Sequence, residues 1–281
     1  MMFFAATDGL FGLLLAIIGG LIGIFLLLLL AALIRTILMK NSKQRENPDL
    51  EYEKAKAYAL KFQKMIQVKT LSYDKGIDNK EPFIELKQRM KELFPLVFKT
   101  MEVIEFPGES LLLKWKGKSG EKPIILMSHL DVVPAVDTGW TYPPFAGEIV
   151  GEELYGRGTL DTKSTVFAFY QACEELLLEG YEPEHDVYLA SSTDEETSGF
   201  GAELTVDYLK ERGVKPFLVI DEGGTVLSDA LPSMKRPMAV VGILEKGVLD
   251  IKVKAKSRGG HSSTPPKNTP IARLAKFVND I

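Results

Sequence analysis

Acidic residues and one histidine follow three short apolar stretches that predict buried β-strands. The residues are His129 and Asp131 after Ile124–Met127, Asp194, Glu195 and Glu196 after Val187–Ala190, and Asp221 and Glu222 after Phe217–Ile220. The carboxyl ends of parallel strands meet at one edge of an open sheet, so we expect these side chains to converge there. A further carboxylate, Asp161, lies in a glycine-rich loop ahead of a predicted helix.

Carboxylates that converge in one apolar-walled cleft repel one another unless cations lie among them. The pattern therefore predicts a metal site. A mixed imidazole and carboxylate donor set favours Zn²⁺, or Co²⁺ or Mn²⁺, because Ca²⁺ and Mg²⁺ are usually held by oxygen atoms alone. His129 and Asp131 are two residues apart on an extended chain and point the same way, which lets Asp131 accept a hydrogen bond from the imidazole and orient it.

Each motif taken alone has an ordinary structural explanation. A His-x-Asp pair is more often a surface or core pair, Glu195-Glu196 is typical of a solvated helix start, and Asp221-Glu222 is typical of a helix cap or turn. A glycosidase with two carboxylates is another alternative, but it would leave His129 and Asp131 without a role. It is the combination of motifs, in this order, that favours a metal site.

Short apolar runs alternating with helical stretches predict an α/β domain with a largely parallel central sheet, because parallel strands need a crossover of about a dozen residues. The predicted strands are Ser110–Trp115, Ile124–Met127, Val187–Ala190 and Phe217–Ile220. The predicted helices are Tyr52–Gln67, Pro82–Phe94, Ser164–Leu178 and Gly201–Lys210. After Gly223-Gly224 the pattern predicts two strands within Val240–Lys256 and a helix that begins at Asn268-Thr269-Pro270. We interpret this last part as the start of a second domain.

The composition places the chain among globular proteins, with 281 residues of which 46% are apolar and 26% charged. A formal net charge of −4 argues against a nucleic-acid partner, because no strong positive field would attract one. The single cysteine, Cys173, falls on the apolar face of a predicted helix. This position predicts a small buried hydrophobic side chain rather than a nucleophile.

The stretch from Leu10 to Ile34 has no charged residue and is long enough to predict a transmembrane helix in the lipid bilayer. A cleaved signal peptide is the alternative, although the apolar stretch is long for one and no basic residue precedes it. Basic residues follow the stretch, at Arg35, Lys40, Lys43 and Arg45. The positive-inside rule then favours a single-pass protein with its main domain in the cytoplasm. The alternative is that these residues begin the linker of an exported domain.

The region from about Leu111 to Ser263 resembles the zinc metallopeptidase family that includes carboxypeptidase S, aminoacylase, carnosinase and succinyl-diaminopimelate desuccinylase. The motifs that carry the resemblance are Ser128-His129-Leu130-Asp131-Val132-Val133-Pro134, Gly139-Trp140 with Pro143-Pro144-Phe145, Leu154 to Lys163, Thr193-Asp194-Glu195-Glu196 and Ile220-Asp221-Glu222-Gly223-Gly224. The tryptophan and double-proline passage is most similar to the carboxypeptidase S and N-acyl-amino-acid hydrolase branch.

The resemblance implies hydrolysis of a peptide or N-acyl amide bond next to a free carboxylate, at a site with two zinc ions. One ion would be held by His129, Asp161 and Asp221. The other would be held by Asp161, Glu196 and a histidine that members of the family carry near their C-terminus. Glu195 would be the general base and acid. Asp131 would orient His129, and His261 would stabilise the oxyanion.

We predict a tail at 1–9, a transmembrane helix at 10–34, a linker at 35–50, the first part of a mainly parallel-sheet catalytic domain at 51–240 and the start of an α+β lid at 241–281. The complete lid would form a homodimer. We expect an N-terminal fragment, because the chain stops within an amphipathic helix and its three histidines leave none for the second zinc. Such a fragment would bind that zinc weakly and have little activity. The alternative function is a catalytically inactive, membrane-tethered binding module, although the presence of Glu195 argues against it.

Overall fold

The computed structural model of the chain describes residues 3–38, 52–72, 79–136, 138–228, 237–243, 247, 249, 251–261 and 263–281. The helices are α1 (Phe3–Leu38), α2 (Tyr52–Ile66), α3 (Glu81–Leu93), α4 (Pro95–Thr100), α5 (Lys163–Leu178), α6 (Gly201–Glu211) and α7 (Pro270–Asp280). The strands are β1 (Glu102–Glu105), β2 (Leu111–Trp115), β3 (Ser119–His129), β4 (Glu148–Val150), β5 (Glu153–Tyr155), β6 (His185–Ser192), β7 (Leu218–Ile220), β8 (Thr225–Leu227) and β9 (Met238–Val240). The chain divides into two compact units, Met1–Ile220 and Asp221–Ile281.

The first unit is built on a five-stranded sheet with the order β1-β2-β6-β3-β7. Strands β6 and β7 both pair with β3 in parallel, as predicted. Strand β2 pairs antiparallel with both β1 and β6, so the sheet is mixed and not mainly parallel as expected. For β1 and β2 the physical reason is the connection, because only the short turn at Pro107–Glu109 joins them, whereas a parallel pair needs a long crossover.

Side chains alternate between the two faces of this sheet, and helices cover both faces. On one face, Leu111 and Leu113 of β2 pack in a buried cluster with residues of α2 to α5, among them Met65, Phe94 and Tyr170. On the other face, Leu112 packs with Ile125, Tyr188 and Leu209, the last of these on α6. Cys173 on α5 is buried in the first cluster, which confirms the prediction of a small buried side chain.

Helix α1 contains one candidate membrane span, Gly12–Leu38, with a mean hydropathy of 3.1 and none of it buried. A signal sequence near the N-terminus passes the same test of length and composition. The helix continues beyond Ile34, the predicted end of the span, to Leu38. Within its last turns the side chain of Thr36 donates a hydrogen bond to the carbonyl of Ala32 at 2.8 Å.

The second unit contains a two-stranded antiparallel sheet of β8 and β9, with Thr225 opposite Val240. Two strands were predicted within Val240–Lys256, but of residues 241–243, 247, 249 and 251–256, which are those described there, none lies in a strand. Ile251 is 67% exposed, and a hairpin without an apolar surface to pack on is marginally stable. Helix α7 begins as predicted, because Thr269 Oγ1 accepts the N–H of Ala272 at 3.1 Å.

Candidate metal centre

The two central parallel strands bring the candidate ligands to one edge of the sheet. His129 is the last residue of β3 and lies opposite Ser192, the last residue of β6. The next backbone N–H, that of Leu130, donates to the carbonyl of Ser192 at 2.7 Å and keeps the strand ends together. Glu195 and Glu196 follow in a short 3-10 turn that ends at Thr197. Pairing in this register therefore places the histidine beside the paired glutamates.

The His129 ring is buried and is held by acceptors on its Nδ1 side. Nδ1 lies 3.2 Å from Asp131 Oδ1 and 2.9 Å from the carbonyl oxygen of Asp131. Both of these atoms accept hydrogen bonds, so a ring proton on Nδ1 satisfies them, and Nε2 would be the atom that binds a metal ion shared with Asp161. Nε2 lies 3.1 Å from Asp161 Oδ1. Asp131 thus lies where it can orient the imidazole, the role expected of it.

Three side chains form a group that fits a metal ion, namely His129, Asp161 and Glu196, whose ligand atoms lie within 4.8 Å of one another. Ligands about 2.0–2.2 Å from one tetrahedral zinc ion lie roughly 3.3 Å apart, close to the separation of His129 Nε2 and Asp161 Oδ1. Burial, and then the charge of Asp161, raise the pKa of Glu196 above its ordinary value. A bound cation would relieve this repulsion, so the donor set fits zinc by spacing and by charge.

The carboxylate of Asp131 connects the histidine to the paired glutamates. Its Oδ1 accepts the backbone N–H of Glu195 at 3.3 Å, and its Oδ2 accepts that of Glu196 at 3.1 Å. The hydroxyl of Ser72 also donates to Oδ2. Burial opposes the charge on Asp131, but hydrogen bonds from His129, Ser72 and Glu196 hold its pKa below the ordinary value. Asp131 is therefore an ionised acceptor at neutral pH.

Glu195 lies beside the group of three ligands. Its Oε2 is 3.8 Å from His129 Nε2, and about half of its side chain is exposed. Asp194 binds the backbone of the next helix, because its carboxylate accepts the N–H groups of Phe200 at 2.7 Å and Gly201 at 3.0 Å. Asp194 thus satisfies the free donors at the start of α6 and fixes the loop that carries the two glutamates.

The loop that carries Asp161 is fixed from both sides. Arg157 donates its N–H to the carbonyl of Pro144 at 2.7 Å, and its guanidinium lies over the Trp140 ring at 5.3 Å. After the loop, the buried Lys163 donates its Nζ to carbonyls at the end of α2, including that of Val68 at 2.8 Å. An open groove of about 620 Å³ runs along this loop, with Trp140, Arg157 and Asp161 in its lining.

Two predicted site residues belong to the second unit. Asp221 follows β7 directly in the sequence, and its Oδ1 accepts the N–H of Glu222 at 2.9 Å. His261 is exposed, and its Nδ1 lies 2.8 Å from the hydroxyl of Ser263. The roles of these two residues as a zinc ligand and an oxyanion donor remain predictions.

The sequence reasoning missed two residues that support the site, Ser72 and Lys163. Lys163 stands in the motif next to Asp161, so its position was visible but its buried contacts were not. Ser72 gave no signal, because its partner Asp131 is 59 positions away in the sequence.

A histidine and carboxylates at the carboxyl ends of parallel strands form a site that suits a metal-dependent hydrolase. The profile of the family described as peptidase family M20/M25/M40 matches residues 125–279, which is more than half of the chain. The chain belongs to this family, as the motifs indicated. Enzymes of the family depend on a metal that is usually zinc, in agreement with the group of His129, Asp161 and Glu196.

Particular relatives share about a third of their residues with the chain. It is 36% identical over 235 residues to the N-fatty-acyl-amino acid synthase/hydrolase PM20D1 of Homo sapiens, a match that covers 82% of this chain and 47% of the relative. It is 36% identical over 231 residues to the probable carboxypeptidase S-like 2 of Dictyostelium discoideum, covering 79% and 44%. The chain thus spans about half the length of these curated relatives. The crystal structure of human carnosine dipeptidase 1 aligns with a TM-score of 0.49 at 19% identity, covering 61% of this chain and 39% of that one.

Proposed function

We propose that the chain carries most of the active site of a zinc-dependent hydrolase that cleaves a peptide or N-acyl amide bond next to a free carboxylate. The observation that carries the proposal is the cluster of His129, Asp161 and Glu196 within 4.8 Å, with the Glu195 carboxylate close beside it. Relatives named as an N-fatty-acyl-amino acid synthase/hydrolase and a carboxypeptidase S-like protein support the substrate class.

His129, Asp161 and Glu196 would hold zinc, and Asp221 is proposed as a further ligand. Two ions would share Asp161, with a histidine from outside this chain completing the second site. Zinc, when bound, supplies Lewis acidity that activates water and polarises the amide carbonyl. The Asp131 carboxylate contributes by holding the His129 ring in one orientation and by fixing the backbone of both glutamates.

Glu195 is proposed as the general base and acid. The Glu195 carboxylate is half exposed and can be reached by water and substrate. Glu195 accepts a proton from the water whose oxygen bonds to the amide carbon. When the carbon–nitrogen bond breaks, Glu195 returns that proton to the leaving amine, and the other product is a carboxylic acid. We further propose that His261 donates a hydrogen bond to the carbonyl oxygen as it becomes negatively charged.

The groove beside Asp161 is proposed to hold part of the substrate. Its lining combines the Trp140 ring, the Arg157 guanidinium and Leu160, which is 89% exposed. An exposed leucine next to a candidate metal ligand suits an apolar group of a peptide or an acyl chain.

The test is hydrolysis of a dipeptide and of an N-acyl amino acid by the zinc-loaded full-length protein, which supplies the histidine from outside this chain, compared with its Glu195→Gln variant. We expect Glu195→Gln to bind as much zinc as the wild type and to lower the rate by about 10²–10⁴-fold, since it removes only proton transfer. An unchanged rate would overturn the catalytic role of Glu195. Tight zinc binding by the wild type without hydrolysis of either substrate would favour the non-catalytic binding module.

We propose that α1 is an uncleaved membrane anchor, with the following units on the cytoplasmic side. Its exposed apolar side chains support an anchor, because they would otherwise face water. The test is expression in cells followed by alkaline carbonate extraction and mass measurement of the N-terminus. Retention in the membrane with residue 1 intact is expected, and a soluble chain that lacks the helix would identify a signal sequence. Protease protection in sealed vesicles determines on which side of the membrane the two units lie.

The dimer through the second unit also remains a proposal. Light scattering of the solubilised chain tests it.

A further inference from the structure

A short segment that follows α2 runs beside the residues that lead from β3 into the site. Thr70 Oγ1 donates to the carbonyl of Leu130 at 2.6 Å, and the N–H of Val132 donates to the carbonyl of Thr70 at 2.9 Å. The N–H of Ser72 donates to the carbonyl of Val132 at 3.0 Å. These bonds place Ser72 directly beside Asp131, although 59 positions separate the two residues in the sequence.

The Ser72 hydroxyl donates to Asp131 Oδ2, and both side chains are buried. The same oxygen accepts the N–H of Glu196, while Oδ1 faces His129 Nδ1 and the N–H of Glu195. We propose that Ser72 is a positioning residue, which fixes the rotation of the Asp131 carboxylate and through it the His129 ring and the turn of the paired glutamates. Ser72 lies outside residues 125–279, the range that the family profile matches.

The physical reason is that the carboxylate of an aspartate turns about a soft torsion with no sharp preference. Donors on both oxygens hold it in one plane, and on Oδ2 these donors include the Ser72 hydroxyl and the N–H of Glu196. Without the Ser72 hydroxyl, Oδ2 loses one of these two donors and keeps the N–H of Glu196, so the carboxylate is held less firmly in the orientation that faces His129. Changing a residue that orients a metal-binding histidine typically lowers metal affinity by about 10–100-fold.

The experiment compares Ser72→Ala with the matched control Thr70→Val in the full chain. Thr70→Val also removes one buried hydroxyl bond from the same segment, but that hydroxyl does not contact Asp131. The first measurement uses the metal-free chain labelled with ¹⁵N in its histidine rings, because three histidines give few signals. The second is titration with Co²⁺, followed by its visible absorption bands. The second measurement rests on the proposed metal site, and the first does not.

We expect Ser72→Ala to shift or broaden the His129 ring signals and to weaken Co²⁺ binding on the order of tenfold, with Thr70→Val close to the wild type in both. Unchanged ring signals and affinity in Ser72→Ala would overturn the inference. Equal changes in the two variants would also overturn it, since they would mean general loosening of the segment. If the wild type binds no Co²⁺, the metal site proposal fails, and the ring signals alone decide the role of Ser72.

Discussion

The carboxylate of Asp131 accepts the backbone N–H of Glu196 at 3.1 Å, across 65 positions of sequence. A residue just beyond the end of β3 thereby holds the turn beyond the end of β6. The histidine and the glutamate of the candidate metal centre come from these two different strand ends. Their separation consequently depends on Asp131 as well as on the pairing of the strands.

Replacement of Asp131 by asparagine keeps the size of the side chain but removes its charge and one acceptor. We expect Asp131→Asn to lower zinc affinity by about 10–100-fold, because the charge beside the imidazole is lost and either the His129 ring or the Glu196 N–H loses its acceptor. Calorimetric zinc titration measures this effect. The control is Asp207→Asn, which neutralises an exposed acid on α6. Equal affinity in the two variants would show that Asp131 does not organise the site.

Replacement of Gly158 by alanine tests the loop that carries Asp161. Gly158 has φ +89°, and an added Cβ would lie 2.9 Å from Val132 Cγ1. Gly180 has φ +73° with open space around it, so Gly180→Ala carries the backbone cost alone, about 1–2 kcal/mol. We expect both variants to unfold more readily in urea, but only Gly158→Ala to lose zinc affinity. A Gly158→Ala variant that binds zinc like Gly180→Ala would contradict this.

Replacement of Lys163 by methionine tests the contact between the start of α5 and the end of α2. The buried Nζ donates to the carbonyls of Met65 at 3.2 Å and Val68 at 2.8 Å. Lys163→Met removes two hydrogen bonds from a buried site, and we expect a loss of about 1–3 kcal/mol in the free energy of unfolding. Urea denaturation followed by tryptophan fluorescence measures the loss, with Lys99→Met on the exposed side of α4 as the control. A stability equal to that of the control would show that the bonds contribute nothing.

The buried thiol of Cys173 predicts a dependence of stability on alkaline pH. Burial raises the pKa of Cys173 from 9.0 to about 12. Between these values the unfolded thiol loses its proton while the folded thiol keeps it, so the unfolded state binds fewer protons and stability falls as pH rises. We expect Cys173→Ala to reduce this fall in stability between about pH 9 and 12, measured by urea denaturation.

The wild-type thiol should also react slowly with iodoacetamide at pH 8 until denaturant is added. Rapid labelling of the folded chain would contradict the burial.

Local patterns in the sequence predicted much of what the structure contains. Apolar periodicity predicted the helices that became α2, α3, α5 and α6, because each buries one face whatever lies opposite. The cap at Thr269 and the buried Cys173 followed from chemistry within a few positions. The prediction of two strands within Val240–Lys256 was wrong for the described residues that follow Val240, since the alternation of apolar residues does not show whether an apolar surface is available to pack on them.

The sequence by itself determined which residues are candidate metal ligands and which peptidase family the chain resembles, because residue types and the order of motifs can be read directly from it. Only the tertiary structure decided that β2 pairs antiparallel with β6 and that Asp194 accepts N–H groups at the start of α6. It also decided that Ser72 and Lys163 make buried contacts that support the site. These features depend on contacts between segments far apart in the chain. No local pattern encodes them, because the partner of each group is set by how the strands and helices pack.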